Sequence, residues 1–160
     1  MGATFEKGHF LRMNQLFPKR PVEVLLVEDN PGDIRLTQEA FKEGRILVNL
    51  TVATDGVQAL EMLNHRGPYT DVARPDLILL DLNLPRKNGR EVLIEIKADE
   101  ELKRIPVIVM TTSRADQDIH RAYSLNANCY ITKPVELDEF LNVVRSIEDF
   151  WLTIVTLPRD

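Results

Sequence analysis

Apolar residues recur along the chain in short unbroken runs, each followed by a stretch of mixed polarity. Val24-Leu25-Leu26-Val27, Leu77-Ile78-Leu79-Leu80 and Val107-Ile108-Val109-Met110 carry no polar break. Runs so short and so apolar suit strands buried on both faces, as in a parallel sheet covered by helices. Leu47 to Ala53, with β-branched Val48, Thr51 and Val52, reads as a further strand, and Cys129-Tyr130-Ile131-Thr132 as a short fifth. Between the strands the period changes to that of a helix. Asn30 is placed to cap a helix with Pro31 at its first position, where the missing N–H costs nothing. That helix turns Ile34, Ala40 and Phe41 inward and stops at Gly44. Asp55-Gly56 turns the chain ahead of a helix carrying Val57, Ala59, Leu60 and Leu63. Gly67 to Arg74 is a loop. Gly89 precedes a helix with Val92, Leu93 and Ile96. Another helix is expected over roughly Asp116 to Leu125, and a long one over Leu137, Phe140, Leu141, Val144 and Ile147.

Strand and helix alternate five times, which predicts an α/β domain: a parallel sheet with helices on both faces. Right-handed crossovers leave few topologies, and the flavodoxin-like order 2-1-3-4-5 is the natural one for a (βα)5 chain. In such sheets ligands bind at the carboxyl ends of the strands. What stands there is informative. The first strand ends in Glu28-Asp29, the third in Asp81, the fourth in Thr111 and the fifth in Lys133. The first and third strands are neighbours in this order, so three carboxylates are expected to converge on one crevice, with a hydroxyl and an ammonium on its other side.

Composition adds bounds. The chain has 160 residues, enough for one domain with a real core. A formal net charge of −5 argues against non-specific binding to nucleic acid or acidic membranes. The single cysteine, Cys129, rules out an internal disulfide and fits a reducing cytoplasm; it reads as a small core residue. The apolar runs are too short to span a bilayer, and no secretory leader is evident. Residues 1–21 lack a clear period and read as a flexible arm; Met13 is a second candidate start, which would make Met1 to Arg12 a leader.

Three like charges this close need compensation. Each pair at about 4 Å repels by roughly 4 kcal/mol at an effective dielectric of about 20. Either one carboxyl stays protonated or a divalent cation settles among them. Oxygen-only ligands, with no His or Cys beside them, fit Mg²⁺ or Mn²⁺ and not Zn²⁺. A carboxylate nucleophile, such a cation and a lysine together suit phosphoryl transfer to form an aspartyl phosphate. Alone, each of these residues is unremarkable: a strand-end acid, a helix-start carboxylate, a surface threonine or lysine.

As a set, Glu28-Asp29, Asp81, Thr111 and Lys133-Pro134 resemble the receiver domain of a two-component response regulator, over about Val22 to Ile147. The resemblance implies that Asp81 is the phosphoacceptor of a sensor histidine kinase. It implies that Glu28, Asp29, Asp81 and the backbone carbonyl of Asn83 hold Mg²⁺, with Mn²⁺ as a substitute. It also implies that Thr111 and Lys133 bind the phosphoryl oxygens, that Thr111 and Tyr130 form the switch, and that Pro134 follows a cis peptide bond. On the same ground the receiver spans residues 22–148, and it catalyses its own phosphorylation and dephosphorylation without being a turnover enzyme.

The end of the chain narrows the resemblance. Residues 149–160 contain Phe150, Trp151, Ile154, Val155 and Leu157, and with local wording elsewhere they are similar to single-domain regulators paired with cyanobacterial and bacterial phytochromes. So many large apolar groups either fold back on the domain or form an intermolecular surface; the expectation is a homodimer built on the last helix and this tail. A downstream protein or a His-containing phosphotransfer protein would then receive the signal. Two other classes compete: a dimeric interaction module that never carries phosphate, and an Mg²⁺-dependent aspartyl-phosphate phosphatase. The phosphatase generally needs an acid two residues after its nucleophile, where this chain has Asn83.

Overall fold

The computed structural model describes residues 20–111, 129–133 and 136–149. Five strands, β1 (Val22–Val27), β2 (Val48–Ala53), β3 (Leu77–Leu80), β4 (Val107–Thr111) and β5 (Cys129–Thr132), form one sheet in the order β2-β1-β3-β4-β5, parallel throughout. Four helices are described: α1 (Pro31–Lys42), α2 (Gly56–Leu63), α3 (Gly89–Ala98) and α4 (Leu137–Ile147). The helix expected over 116–125 lies outside the described residues, as do Pro134 and the tail from Phe150 onward. No helix among the described residues is long and apolar enough to cross a membrane.

The alternation of side chains along each strand divides the core in two. Val22, Val24, Leu26, Leu77 and Leu79 pack with Ala40 and Phe41 of α1 and Phe140, Val144 and Ile147 of α4. Leu25, Val27, Ile78 and Leu80 pack with Leu60 and Leu63 of α2 and Val92, Leu93 and Ile96 of α3. All four residues of β3 are fully buried, because the central strand is covered on both faces. Each contributes on the order of 2 kcal/mol by the apolar area withdrawn from water.

Local signals set the helix starts. Asn30 Oδ1 accepts from Asp33 N at 3.0 Å, Asp55 Oδ1 from Gln58 N at 2.8 Å and Asn88 Oδ1 from Glu91 N at 3.0 Å, so three helices open on a side-chain cap. The chain turns into α2 at Asp55-Gly56 with more than a turn's chemistry: Asp55 caps α2 and Gly56 is its first residue, packed so closely under the Lys87 carbonyl that a Cβ would collide with it. The loop after α2 also contains a short 3-10 turn, Gly67–Tyr69.

Register brings the strand ends level. Val27 pairs with Leu80, Leu80 with Val109, and Thr111 with Thr132. Glu28, Asp81, Thr111 and Lys133 therefore emerge at one end of the sheet. At the opposite end, buried Asp76 receives two hydrogen bonds from Arg20, at 2.9 and 3.0 Å, and one from Glu23 N at 3.0 Å, and so fastens the start of β3 to that of β1.

Candidate functional site

The site is built by β1, β3 and β5 at their carboxyl ends. Glu28 and Asp29 continue β1 into the cap of α1, and Asp81 follows the last residue of β3 directly. Carboxylate oxygens of Glu28, Asp29 and Asp81 lie within 4.8 Å of one another. Glu28 and Asp81 are buried, at 2% and 7% exposure, while Asp29 is exposed. Oxygen donors so gathered, with an exposed carboxylate at the mouth, have the chemistry of a site for a hard divalent cation.

Asp81 is held from two sides. Its Oδ1 accepts from Asn83 N at 2.8 Å, and its Oδ2 from Lys133 Nζ at 3.1 Å. Glu28 Oε1 accepts from Asn30 N at 3.2 Å, and its Oε2 from Lys133 Nζ. The lysine, at 5% exposure, makes a third bond, to Asp33 Oδ2 at 2.9 Å. An ammonium has three protons, so these three carboxylates match its donors in number.

The electrostatics follow from this packing. Burial pushes the Glu28 carboxyl up to about 7, with the Asp81 charge adding to the rise and the hydrogen bond from Lys133 opposing it. Burial alone would lower the Lys133 ammonium, but hydrogen bonds to Glu28 and Asp33, with the charges of Glu28 and Asp81, outweigh it and raise its pKa. The choice between a protonated carboxyl and a cation therefore has a third member. Lys133 does not stand across the crevice from the acids; it reaches in among them as their counter-charge.

Tyr130, on β5, is half-buried against the α2 and α3 face of the sheet, and burial raises its phenol pKa. Cys129 faces the other side, half-buried against the α1 and α4 cluster rather than sealed within it, and burial raises its thiol. Thr111 ends β4 beside Thr132, and its side chain lies outside the described residues. Asn83 is exposed on the β3–α3 loop. The residue missed by sequence reasoning is Asp33. An acid in the first turn of a helix is fully explained by the dipole, and its partner stands 100 residues away.

Residues 24–145 match the response regulator receiver domain family. This chain is a member of that family. Response regulator Rcp1 of Synechocystis sp. (strain ATCC 27184 / PCC 6803 / Kazusa) is 50% identical over 138 residues, covering 86% of this chain and 94% of that protein. The crystal structure of the phosphorylated cyanobacterial phytochrome response regulator RcpA is similar at a TM-score of 0.84 with 49% identity, covering 88% of this chain and all of that one. The Mn²⁺-bound form of Rcp1 is similar at a TM-score of 0.82 with 50% identity, covering 87% of this chain and all of that one. The receiver is thus a phosphorelay module whose acidic cluster is arranged for a divalent cation and phosphoaspartate chemistry. Receivers act catalytically only on themselves.

Proposed function

We propose that this receiver accepts a phosphoryl group on Asp81 from a phosphohistidine of a sensor kinase, with Mg²⁺ held by Glu28, Asp29, Asp81 and the Asn83 carbonyl. The observation that carries the reading is the placement of Asp81 within the three-carboxylate cluster and in hydrogen-bond contact with Lys133. In the transfer the phosphohistidine P–N bond breaks, a P–O bond to Asp81 forms, and the histidine nitrogen keeps the electron pair. A bound divalent cation supplies neutralising charge for the phosphoryl oxygens. Asn83 N orients the Asp81 carboxylate, and Lys133 turns one of its protons to the arriving dianion. Thr111 donates to another phosphoryl oxygen, and Tyr130 rotates inward in response, shifting the population towards the signalling state. Water later returns Asp81 and inorganic phosphate.

The similarity to RcpA, a phytochrome response regulator, favours a phytochrome-type kinase as the donor. The tail residues Phe150, Trp151, Ile154, Val155 and Leu157 supply the surface of a homodimer with α4, whose Leu137 is 46% exposed. Trp151→Ala with Ile154→Asp is expected to give a monomer by light scattering; an unchanged dimer would place the interface elsewhere. The test of the phosphoacceptor is intact mass after incubation with acetyl phosphate and Mg²⁺. A gain of one phosphoryl group, absent from Asp81→Asn and absent under chelation, is expected. No gain from acetyl phosphate, or from a phosphorylated histidine kinase, would sink the proposal.

A further inference from the structure

The metal cluster and the lysine's acceptors are overlapping sets of acids. The first is Glu28, Asp29 and Asp81; the second is Glu28, Asp33 and Asp81. Glu28 and Asp81 belong to both, so a cation bound there takes electron density from two of the three carboxylates that hold Lys133, and repels the ammonium as well. Among the described residues, Asp33 alone holds Lys133 without belonging to the cluster. Its backbone is fixed by the first turn of α1. It is the third residue of α1, its backbone N–H bonded to the Asn30 cap and its carbonyl accepting from Thr37 Oγ1 at 2.8 Å. Its side chain sits at the rim, 28% exposed, where the crevice opens to solvent.

We infer that Asp33 is a positioning residue for phosphoryl transfer: it retains Lys133 in the crevice once the cation has claimed Glu28 and Asp81. The inference rests on Asp81 being the phosphoacceptor. Metal-free, the ammonium is held by three carboxylates and Asp33 is one support among several. Metal-loaded, Asp33 becomes its principal anchor, and the lysine stays within reach of the incoming phosphoryl oxygens. Without Asp33 the lysine swings out to water when the metal enters, and charge neutralisation on the transferring group falls to the metal and Thr111.

The test uses the full chain, ¹⁵N-labelled, as wild type, Asp33→Asn and Asp33→Glu. A lysine ammonium held by carboxylates gives a proton–nitrogen cross-peak, and the peak of Lys133 is assigned by its absence from Lys133→Arg. All three proteins are expected to show it without metal. With saturating Mg²⁺, wild type and Asp33→Glu keep it and Asp33→Asn loses it. At the same Mg²⁺ saturation, checked by calorimetry, Asp33→Asn should form acyl phosphate from acetyl phosphate about tenfold more slowly, the effect of one lost charge-assisted bond. The donor concentration at half-maximal rate should not change, and Asp33→Glu should recover most of the rate. Retention of the peak by metal-loaded Asp33→Asn, its absence from metal-loaded wild type, or a rate in Asp33→Asn within about twofold of wild type would each overturn the inference. The cross-peak needs metal but no phosphate, so it still decides the role of Asp33 if Asp81 proves not to be the acceptor.

Discussion

Glu28 shows what it costs to gather acids beneath a sheet end. Its carboxyl is lifted from an ordinary 4.5 to about 7, first by burial and then by the charge of Asp81. Between those two values the folded chain holds a proton that the unfolded chain has released, so folding stability falls as pH rises through this window. Lys133 works at the other end of the scale: its raised pKa keeps its ammonium charged below its ordinary 10.5, and the charge is lost only above it. Metal-free protein should therefore lose on the order of 2–3 kcal/mol between about pH 5 and pH 7.5. Urea unfolding in the presence of a chelator measures this. Glu28→Gln should flatten the profile, and an equal slope in the variant would place the titration elsewhere. Cation affinity should rise over the same window, because the site must lose that proton to bind. The acids were legible in the sequence because each stands where an apolar run stops. Lys133 was legible on the same ground, at the end of the fifth strand; its direct contact with Glu28, 105 residues away, and the part of Asp33 at the rim were not, since neither leaves a local trace.

Among the elements, the join between β3 and α3 packs directly against the backbone of Asp81. The helix begins directly against the strand end it follows: Gly89 N donates to Leu82 O at 3.0 Å, and a Cβ at Gly89 would lie 2.6 Å from the Leu82 Cα and collide with the Asp81 carbonyl oxygen. Backbone atoms cannot yield as a flexible side chain does. Gly89→Ala should therefore push α3 outward, cost about 2–3 kcal/mol in urea unfolding, and slow phosphorylation by displacing Asp81. A variant within about 0.5 kcal/mol of wild type would show that the loop absorbs the strain. Strand identity was readable because period and apolarity agree at every level, from the unbroken run in β3 to the paired faces it serves. Asp55-Gly56 was legible only in part. Asp-Gly is a turn signal by local chemistry, but only the approach of the Lys87 carbonyl, a contact across the fold, explains why a glycine opens α2.

For the molecule as a whole, β1 and β3 lie side by side in the sheet, β4 separates β3 from β5, and the three site-bearing ends meet only when the order β2-β1-β3-β4-β5 is complete. The counter-charge to Glu28 and Asp81 is thus a property of the native topology, and two agents can supply it: Lys133 from β5 or a divalent cation from solution. The two should substitute for one another. Replacing the lysine by methionine keeps much of the volume and removes the charge. Two buried carboxylates are then left uncompensated, and breaking a buried pair in this way costs about 3 kcal/mol or more. Lys133→Met should accordingly be destabilised by about that much with a chelator present. A cation that binds only the native state stabilises it by about 2.7 kcal/mol at a hundredfold excess over its dissociation constant. Since the variant no longer repels the cation, it should bind it more tightly than wild type and recover most of its loss. Urea unfolding of both proteins, with chelator and with saturating Mg²⁺, gives all four free energies. Recovery in the variant that exceeds the gain in wild type would establish the exchange of counter-charges. An equal deficit with and without metal would mean that Lys133 stabilises the fold by packing alone, and that the acids tolerate one another without it.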